Sequence, residues 1–239
     1  MVSASPSPRA EFELPLAVGM VLVDLDGTLI HTAPDLAASA NRMLEALGMT
    51  THEQATVETW IGNGVSRLVK RALTGDMEAE PEGELYDRAY PLFLQFYGEQ
   101  VADRSRPYPG VVEGLEALKT AGFGLACITN KAEAFTAPLL KALKLDGYFS
   151  LVLSGDSLAK KKPDPLPLLH ACEHFGVTPK HAVLVGDSVN DTQAARNAGM
   201  PVILVSYGYN RGQDVRELNP EAVVDSLADV PGKLTLYRN

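Results

Sequence analysis

Cysteine is scarce, with two in 239 residues: Cys127 in an expected strand and Cys172 in an expected helix. A pair placed so gives no disulfide framework, and a reducing cytoplasm is the expected location. Basic residues are in deficit, 21 Lys and Arg against 30 Asp and Glu, for a net charge of −9. Nucleic acid and anionic membranes reward clustered Lys and Arg, so neither is expected as a stable partner. Long apolar runs are also missing. The stretch Leu14 to Val23 falls short of the about 20 residues that span a bilayer, and it reads as a strand leading into Asp24. The opening residues carry no basic segment, apolar core and small-residue cleavage site in series. Residues 1 to 12, with Ser and Pro alternating, read as a loose tail. What is present is an ordinary globular composition, and enough chain for an α/β core with a small accessory domain. The sequence is compatible with a monomer or a homodimer.

Val21-Leu22-Val23 marks a buried strand, and Asp24 to Thr28 a turn after it. Thr32-Ala33-Pro34-Asp35 reads as a helix start with a Thr cap, and Leu36, Ala40, Met43, Leu44 and Leu47 follow at helical spacing until Gly48. From Thr51 to about Arg106 every periodic segment is helical, with a capping box expected from Thr51 and Gln54 and a break at Gly62-Asn63-Gly64. After Pro107 the pattern alternates. Strands are expected at Gly124–Ile128, Leu151–Leu153, Ala182–Val185, Val202–Val205 and Ala222–Val224, with helices between them. Alternation of this kind means βαβ units and a parallel sheet covered on both faces. The expected fold is therefore α/β, a doubly wound core of residues 1–34 and 107–239 with a helical block of residues 35–106 inserted after the first strand.

Ligands of open parallel sheets bind beyond the carboxyl ends of the strands. Asp24-Leu25-Asp26-Gly27-Thr28 follows the first strand, Thr129-Asn130 the second, Lys162-Pro163-Asp164-Pro165 the third, and Gly186-Asp187-Ser188 the fourth, with Asp191 shortly after. One edge thus receives carboxylates, a hydroxyl, an amide and an ammonium. Asp24, Asp26 and Asp187 near one point repel one another unless a cation sits among them, and oxygen ligands in an open site favour Mg²⁺. The set suits phosphoryl transfer: Asp24 as nucleophile, Asp26 as proton donor and acceptor, and Lys162 and Thr129 as partners of the transferred oxygens. Thr28 and Asn130 are further candidates for the substrate.

These four ordered motifs resemble those of the haloacid dehalogenase-like hydrolase superfamily, and the resemblance covers nearly the whole chain. It implies a Rossmann-like core, a mobile helical cap inserted after the first motif, and Mg²⁺ held by the side chains of Asp24 and Asp187 and the backbone carbonyl of Asp26. Asp191 and Ser188 then lie behind those ligands, with Asp191 steadying them or Lys162. Pro34-Asp35-Leu36-Ala37, Trp60-Ile61-Gly62-Asn63-Gly64, Tyr108-Pro109-Gly110-Val111, Lys161 to Pro165 and Tyr207-Gly208-Tyr209-Asn210 are similar to bacterial phosphoglycolate phosphatases. Those imply a small-molecule phosphate, 2-phosphoglycolate, as substrate. His31-Thr32 departs from the usual Asp-Ser or Asp-Thr at that turn.

Selectivity is then expected from the helical block. Backbone N–H groups of Gly62, Asn63 and Gly64 before a helix suit the substrate's carboxylate, with Arg67 helping. Tyr207-Gly208-Tyr209 either borders the site or packs a loop. A same-fold dehalogenase is disfavoured by Asp26, since a halide leaves without a proton. A phosphomutase is disfavoured by the lack of His between Asp35 and Ala40. A phosphonate hydrolase needs a cap lysine, and the surroundings of Lys70 do not fit one. A binding module without catalysis is disfavoured by the presence of all four motif residues. Phosphatases of pyrophosphate, a sugar phosphate or a phosphorylated amino sugar stay open.

Overall fold

The computed structural model describes residues 12–238. The expected tail therefore lies outside the described residues, except for Phe12. The elements in chain order are β1 (Leu16–Val18), β2 (Met20–Val23), β3 (Ile30–His31), α1 (Ala33–Ala46), α2 (Gln54–Glu58), α3 (Val65–Thr74), α4 (Gly83–Glu99), β4 (Arg106–Pro107) and α5 (Val111–Thr120). They continue with β5 (Gly124–Ile128), α6 (Glu133–Ala142), β6 (Leu151–Leu153), α7 (Leu166–Phe175), β7 (Ala182–Gly186), α8 (Val189–Ala198), β8 (Val202–Val205), β9 (Ala222–Val224) and β10 (Leu234–Leu236).

Six strands form one parallel sheet in the order β6-β5-β2-β7-β8-β9. Side chains alternate across a strand, and each face is apolar. Val21, Val23, Leu125, Cys127, Val183 and Val185 meet α5 and α6 through Leu115, Leu118, Leu139 and Leu140. Met20, Leu22, Ala126, Ile128 and Leu184 meet α7 and α8 through Leu168, Ala171, Ala194 and Ala195. This is the doubly wound core that continuous Val, Ile and Leu strands require. The chain runs outward from β2 in both directions, so the topological switch point lies at β2 and Asp24 follows it.

The apolar run ending at Val23 is not one strand. It breaks at Gly19, and Leu16–Val18 pairs in parallel with Leu234–Leu236 in a separate two-stranded sheet. Thr51 and Gln54 form no capping box, because α2 starts later and Glu53 is its N-cap. Thr32 does stand at the N-cap of α1 but makes no side-chain cap. Its hydroxyl donates to Asp26 Oδ1 at 2.6 Å instead.

Helices α1, α3 and α4 build a second apolar cluster from Leu36, Met43, Leu68, Val69, Phe93 and Tyr97, joined by Trp60. Asp35 ties the start of this helical layer to its end. It is buried and accepts from the Arg104 N–H, the Ser105 N–H at 2.8 Å and the Ser105 hydroxyl at 2.6 Å. Asp35→Ala strands these buried donors and is expected to cost about 2–3 kcal/mol, read as a fall in unfolding free energy by urea titration. A change within error would remove this brace from the account.

Candidate active site

Asp24, Asp26, Thr129, Asn130, Lys162, Asp187, Ser188 and Asp191 all line one cleft of about 580 Å³ at the carboxyl edge of the sheet. Leu36, Gly62, Gly64, Val65 and Leu68 of the helical layer close its other side. Asp24 Oδ1 accepts from Lys162 Nζ at 2.7 Å, and Asp24 Oδ2 takes no hydrogen bond from any described residue. Lys162 Nζ also donates to Asp191 Oδ1 and to the Ile128 carbonyl, each at 2.7 Å. Its three N–H donors are thus used, and its position is fixed. Asp191 Oδ2 accepts from the Ser188 hydroxyl at 2.7 Å and the Ser188 N–H at 3.1 Å, a capping box that starts α8. Asp191 therefore holds Lys162, and Ser188 holds Asp191.

Asp187 is placed from two sides. Thr28 donates to its Oδ1 at 3.2 Å, and the Tyr209 N–H to its Oδ2 at 2.6 Å. The Tyr209 hydroxyl accepts from the N–H groups of Thr32 and Ala33 at 2.7 and 2.9 Å, which satisfies the open start of α1. The segment after β8 thus both borders the cleft and packs a loop. Gly208 lies so close to Asp187 that an added methyl would overlap its carboxylate. Gly208→Ala is expected to displace Asp187 and lower kcat/KM by about a hundredfold with the fold retained. Unchanged kinetics would contradict this packing.

Burial pushes the Asp24 carboxyl up to about 7, with Lys162 pulling the other way and Asp191 and Asp26 adding to the rise. Burial, then Asp191 and Asp24, push Asp187 well above the usual range. Burial acts to lower Lys162, but Asp191 and Asp24 outweigh it and raise the ammonium. All these shifts express one imbalance: more carboxylates than ammonium groups in a dry place. Carboxylate oxygens of Asp24, Asp187 and Asp191 lie within 4.8 Å of one another. Hard oxygen donors so grouped fit a divalent cation. Asp191 has both oxygens held by Lys162 and Ser188, Asp187 has both held by Thr28 and Tyr209, and Asp24 Oδ2 is the carboxylate oxygen of the three with no donor among the described residues.

Several sequence-based expectations change. Thr28 is fully buried behind Asp187 and braces it instead of lining the cleft. Arg67 does not line the cleft either, because Glu78 and Glu80 bind its guanidinium at 2.6 and 2.7 Å. Asn63 turns its Oδ1 to Arg71 and Arg211, both at 3.0 Å. Gly62 and Gly64 line the cleft as expected, and the Gly62 carbonyl accepts from Asn130 and Asn190 at 3.1 and 3.2 Å. His31, at the turn that departs from the usual pair, ends β3 with its Nδ1 3.1 Å from the Tyr209 hydroxyl. Sequence reasoning missed Lys131, whose ammonium binds Asp26 Oδ1 at 2.8 Å. A lysine directly after Thr129-Asn130 at a strand end was the available signal.

Comparison with known proteins bears on the same residues. The family model described as Haloacid dehalogenase-like hydrolase matches residues 21–205, which run from β2 through β8. The chain belongs to the haloacid dehalogenase-like hydrolase family. Its buried carboxylates Asp24, Asp187 and Asp191 form a cluster suited to a divalent metal. The chain is 60% identical over 215 residues to a phosphoglycolate phosphatase of Thiobacillus denitrificans, covering 90% of this chain and 95% of that one. The phosphoglycolate phosphatase of Nitrosospira multiformis is 56% identical, with 89% and 94% covered. Among solved structures, a predicted phosphoglycolate phosphatase from Haemophilus somnus 129PT superposes with a TM-score of 0.84 at 38% identity, covering 90% of this chain and 97% of that one. No helix among the described residues of this hydrolase is long and apolar enough to cross a membrane.

Proposed function

We propose that this hydrolase converts 2-phosphoglycolate to glycolate and phosphate through an aspartyl-phosphate on Asp24. The observation that carries the chemistry is Asp24 itself: one oxygen fixed on Lys162, the other without a partner among the described residues at the cleft. The substrate follows from relatives of that name matched along almost the full chain. Mg²⁺ is proposed as the divalent ion, held by Asp24, Asp187 and the backbone carbonyl of Asp26. It supplies positive charge that neutralises phosphate oxygens facing a carboxylate.

Asp24 Oδ2 attacks phosphorus and the bond to the ester oxygen breaks. Asp26 gives its proton to that oxygen, releasing glycolate. Asp26 then takes a proton from water, whose oxygen attacks phosphorus, and the Asp24 carboxylate leaves. Lys162 neutralises transferred oxygens, and Thr129 and Asn130 orient them. Residues 35–106 are proposed as a cap over a core of 1–34 and 107–239, its closure excluding water from the first step. A cytoplasmic location is proposed as well, where the buried free thiols Cys127 and Cys172 stay reduced.

Phosphate release with Mg²⁺ tests the substrate, using 2-phosphoglycolate, sugar phosphates, a phosphorylated amino sugar and pyrophosphate. The expected result is a kcat/KM for 2-phosphoglycolate about a hundredfold above the rest, or about 2.7 kcal/mol of transition-state preference. A higher value for another phosphate would keep the chemistry and overturn the substrate.

A further inference from the structure

Lys131 has no part in the chemistry above, yet it is among the most confined charges in the protein. It follows Asn130 in the turn after β5, lines the cleft and is 4% exposed. Its Nζ donates to both oxygens of Asp26, at 2.8 and 3.1 Å, and sits 4.9 Å from the ring centre of Tyr97 in α4. An ammonium has three N–H donors. Two of them rest on a single carboxylate, and that carboxylate also accepts from Thr32. The third has only the Tyr97 hydroxyl beside it, with no carboxylate or carbonyl among the described residues to take it.

Most other cations near the cleft are committed elsewhere, and the two at its edge, Lys161 and Arg211, reach the Asn63 carbonyl and Oδ1 at 3.2 and 3.0 Å. Lys162 has all three donors on Asp24, Asp191 and Ile128. Arg67 and Lys70 bind Glu78 and Glu80, and Arg71 donates to the carbonyls of Trp60 and Met77. At the Gly62–Gly64 loop the Gly62 carbonyl accepts from Asn130 and Asn190, and the loop's N–H groups bring no full positive charge to match an ammonium.

We propose that Lys131 is the residue that recognises the carboxylate of the substrate, an inference that rests on the function proposed above. Asp26 must reach the ester oxygen to protonate it. In 2-phosphoglycolate a carboxylate oxygen lies three bonds from that ester oxygen. A cation touching Asp26 is therefore placed for an acid on the carbon next to the ester. Burial gives the pairing its weight, since water does not screen it. A phosphate ester lacking the acid leaves the third donor of Lys131 on the neutral Tyr97 hydroxyl, and a site built on pairing with a charged acceptor discriminates more strongly than one built on size. Tyr97 contributes the π face beneath the ammonium, so the helical layer takes part in selection without touching the phosphate.

The test compares 2-phosphoglycolate with ethyl phosphate, which replaces the carboxylate by a methyl group. The readout is the ratio of their kcat/KM values in the parent enzyme with Mg²⁺, in Lys131→Met, in Lys131→Arg and in Arg211→Ala. Arg211 is the competing cation, lining a neighbouring pocket that shares Gly62, Ser188 and Tyr209 with the cleft. Lys131→Met is expected to lower the ratio about a hundredfold, because 2-phosphoglycolate loses its partner and ethyl phosphate does not. Lys131→Arg keeps the charge but moves it, and is expected to lower the ratio about tenfold; it decides the matter where the Met variant does not fold. Arg211→Ala is expected to leave the ratio within about threefold. Equal losses on both substrates in the Lys131 variants would overturn the inference and reduce Lys131 to a positioning residue for Asp26, with the phosphoglycolate reading intact. A collapse of the ratio in Arg211→Ala would overturn it too. A parent enzyme without preference for 2-phosphoglycolate overturns the proposed function first, and this inference with it.

Discussion

Asp24→Asn is expected to lower kcat by a factor on the order of 10⁴–10⁶, because the amide keeps the shape of the carboxylate and cannot act as an anionic nucleophile. The amide oxygen can still accept from Lys162, so the fold is expected to persist. The stability effect has a definite sign. Burial raises Asp24 from 3.8 to about 7, so its ionisation opposes folding. The stability it contributes is full below the unfolded value and is lost as pH rises through about 7. Metal-free Asp24→Asn is therefore expected to melt at or above the parent at pH 8, with the gap closing toward pH 4. Thermal melts in chelator at both pH values, beside a turnover assay, check the two halves separately. Near-normal turnover would remove Asp24 from the mechanism.

Lys162→Met has the opposite effect on stability. Lys162 is 3% exposed, and its ammonium is shared by Asp24 and Asp191. Removing one partner of a buried ion pair leaves uncompensated charge and costs about 3–5 kcal/mol. That is a large part of the 5–15 kcal/mol, roughly, that holds a domain together. Turnover is expected to fall by about 10²–10³ as the transferred oxygens lose their ammonium. With the positive charge gone, a divalent cation is expected to raise the melting temperature of the variant more than that of the parent. A melting temperature equal to the parent's in chelator would show that Lys162 does not balance the cluster.

The central sheet was legible because its strands are short Val, Ile and Leu runs bounded by turns, and each of the five strands expected after Pro107 forms. What failed were long-range pairings. Leu16–Val18 joins Leu234–Leu236 across almost the whole chain, and no local pattern announces a partner so far away. The break at Gly19 escaped notice for the same reason: apolarity continues through it while the pairing changes.

The site followed the same division. Asp24, Asp187 and Lys162 were legible because each directly follows a strand or its short loop, where backbone topology alone brings groups together. Side chains placed by charge balance were not. Arg67 shares a helix face with Lys70 and looked available, but the turn at residues 76–80 supplies Glu78 and Glu80, and near-contact ion pairs keep both cations from the cleft. Thr28 was right in position and different in role, because the loop after Asp26 turns its hydroxyl behind Asp187. Lys131 stood next to two residues already singled out, yet its partner Asp26 is 105 residues away in sequence. Tyr209 shows how far such assignments depend on three dimensions: its N–H fixes Asp187 while its hydroxyl holds the start of α1.

Direct transfer of phosphate to Asp24 is the claim on which the rest depends. Rapid quenching of the enzyme with Mg²⁺ and radiolabelled 2-phosphoglycolate, followed by peptide mapping, measures it. The account predicts transient, base-labile label on the peptide containing Asp24, chased into inorganic phosphate by unlabelled substrate and absent from Asp24→Asn. Full turnover with no label on that peptide, or label on another residue, would contradict it.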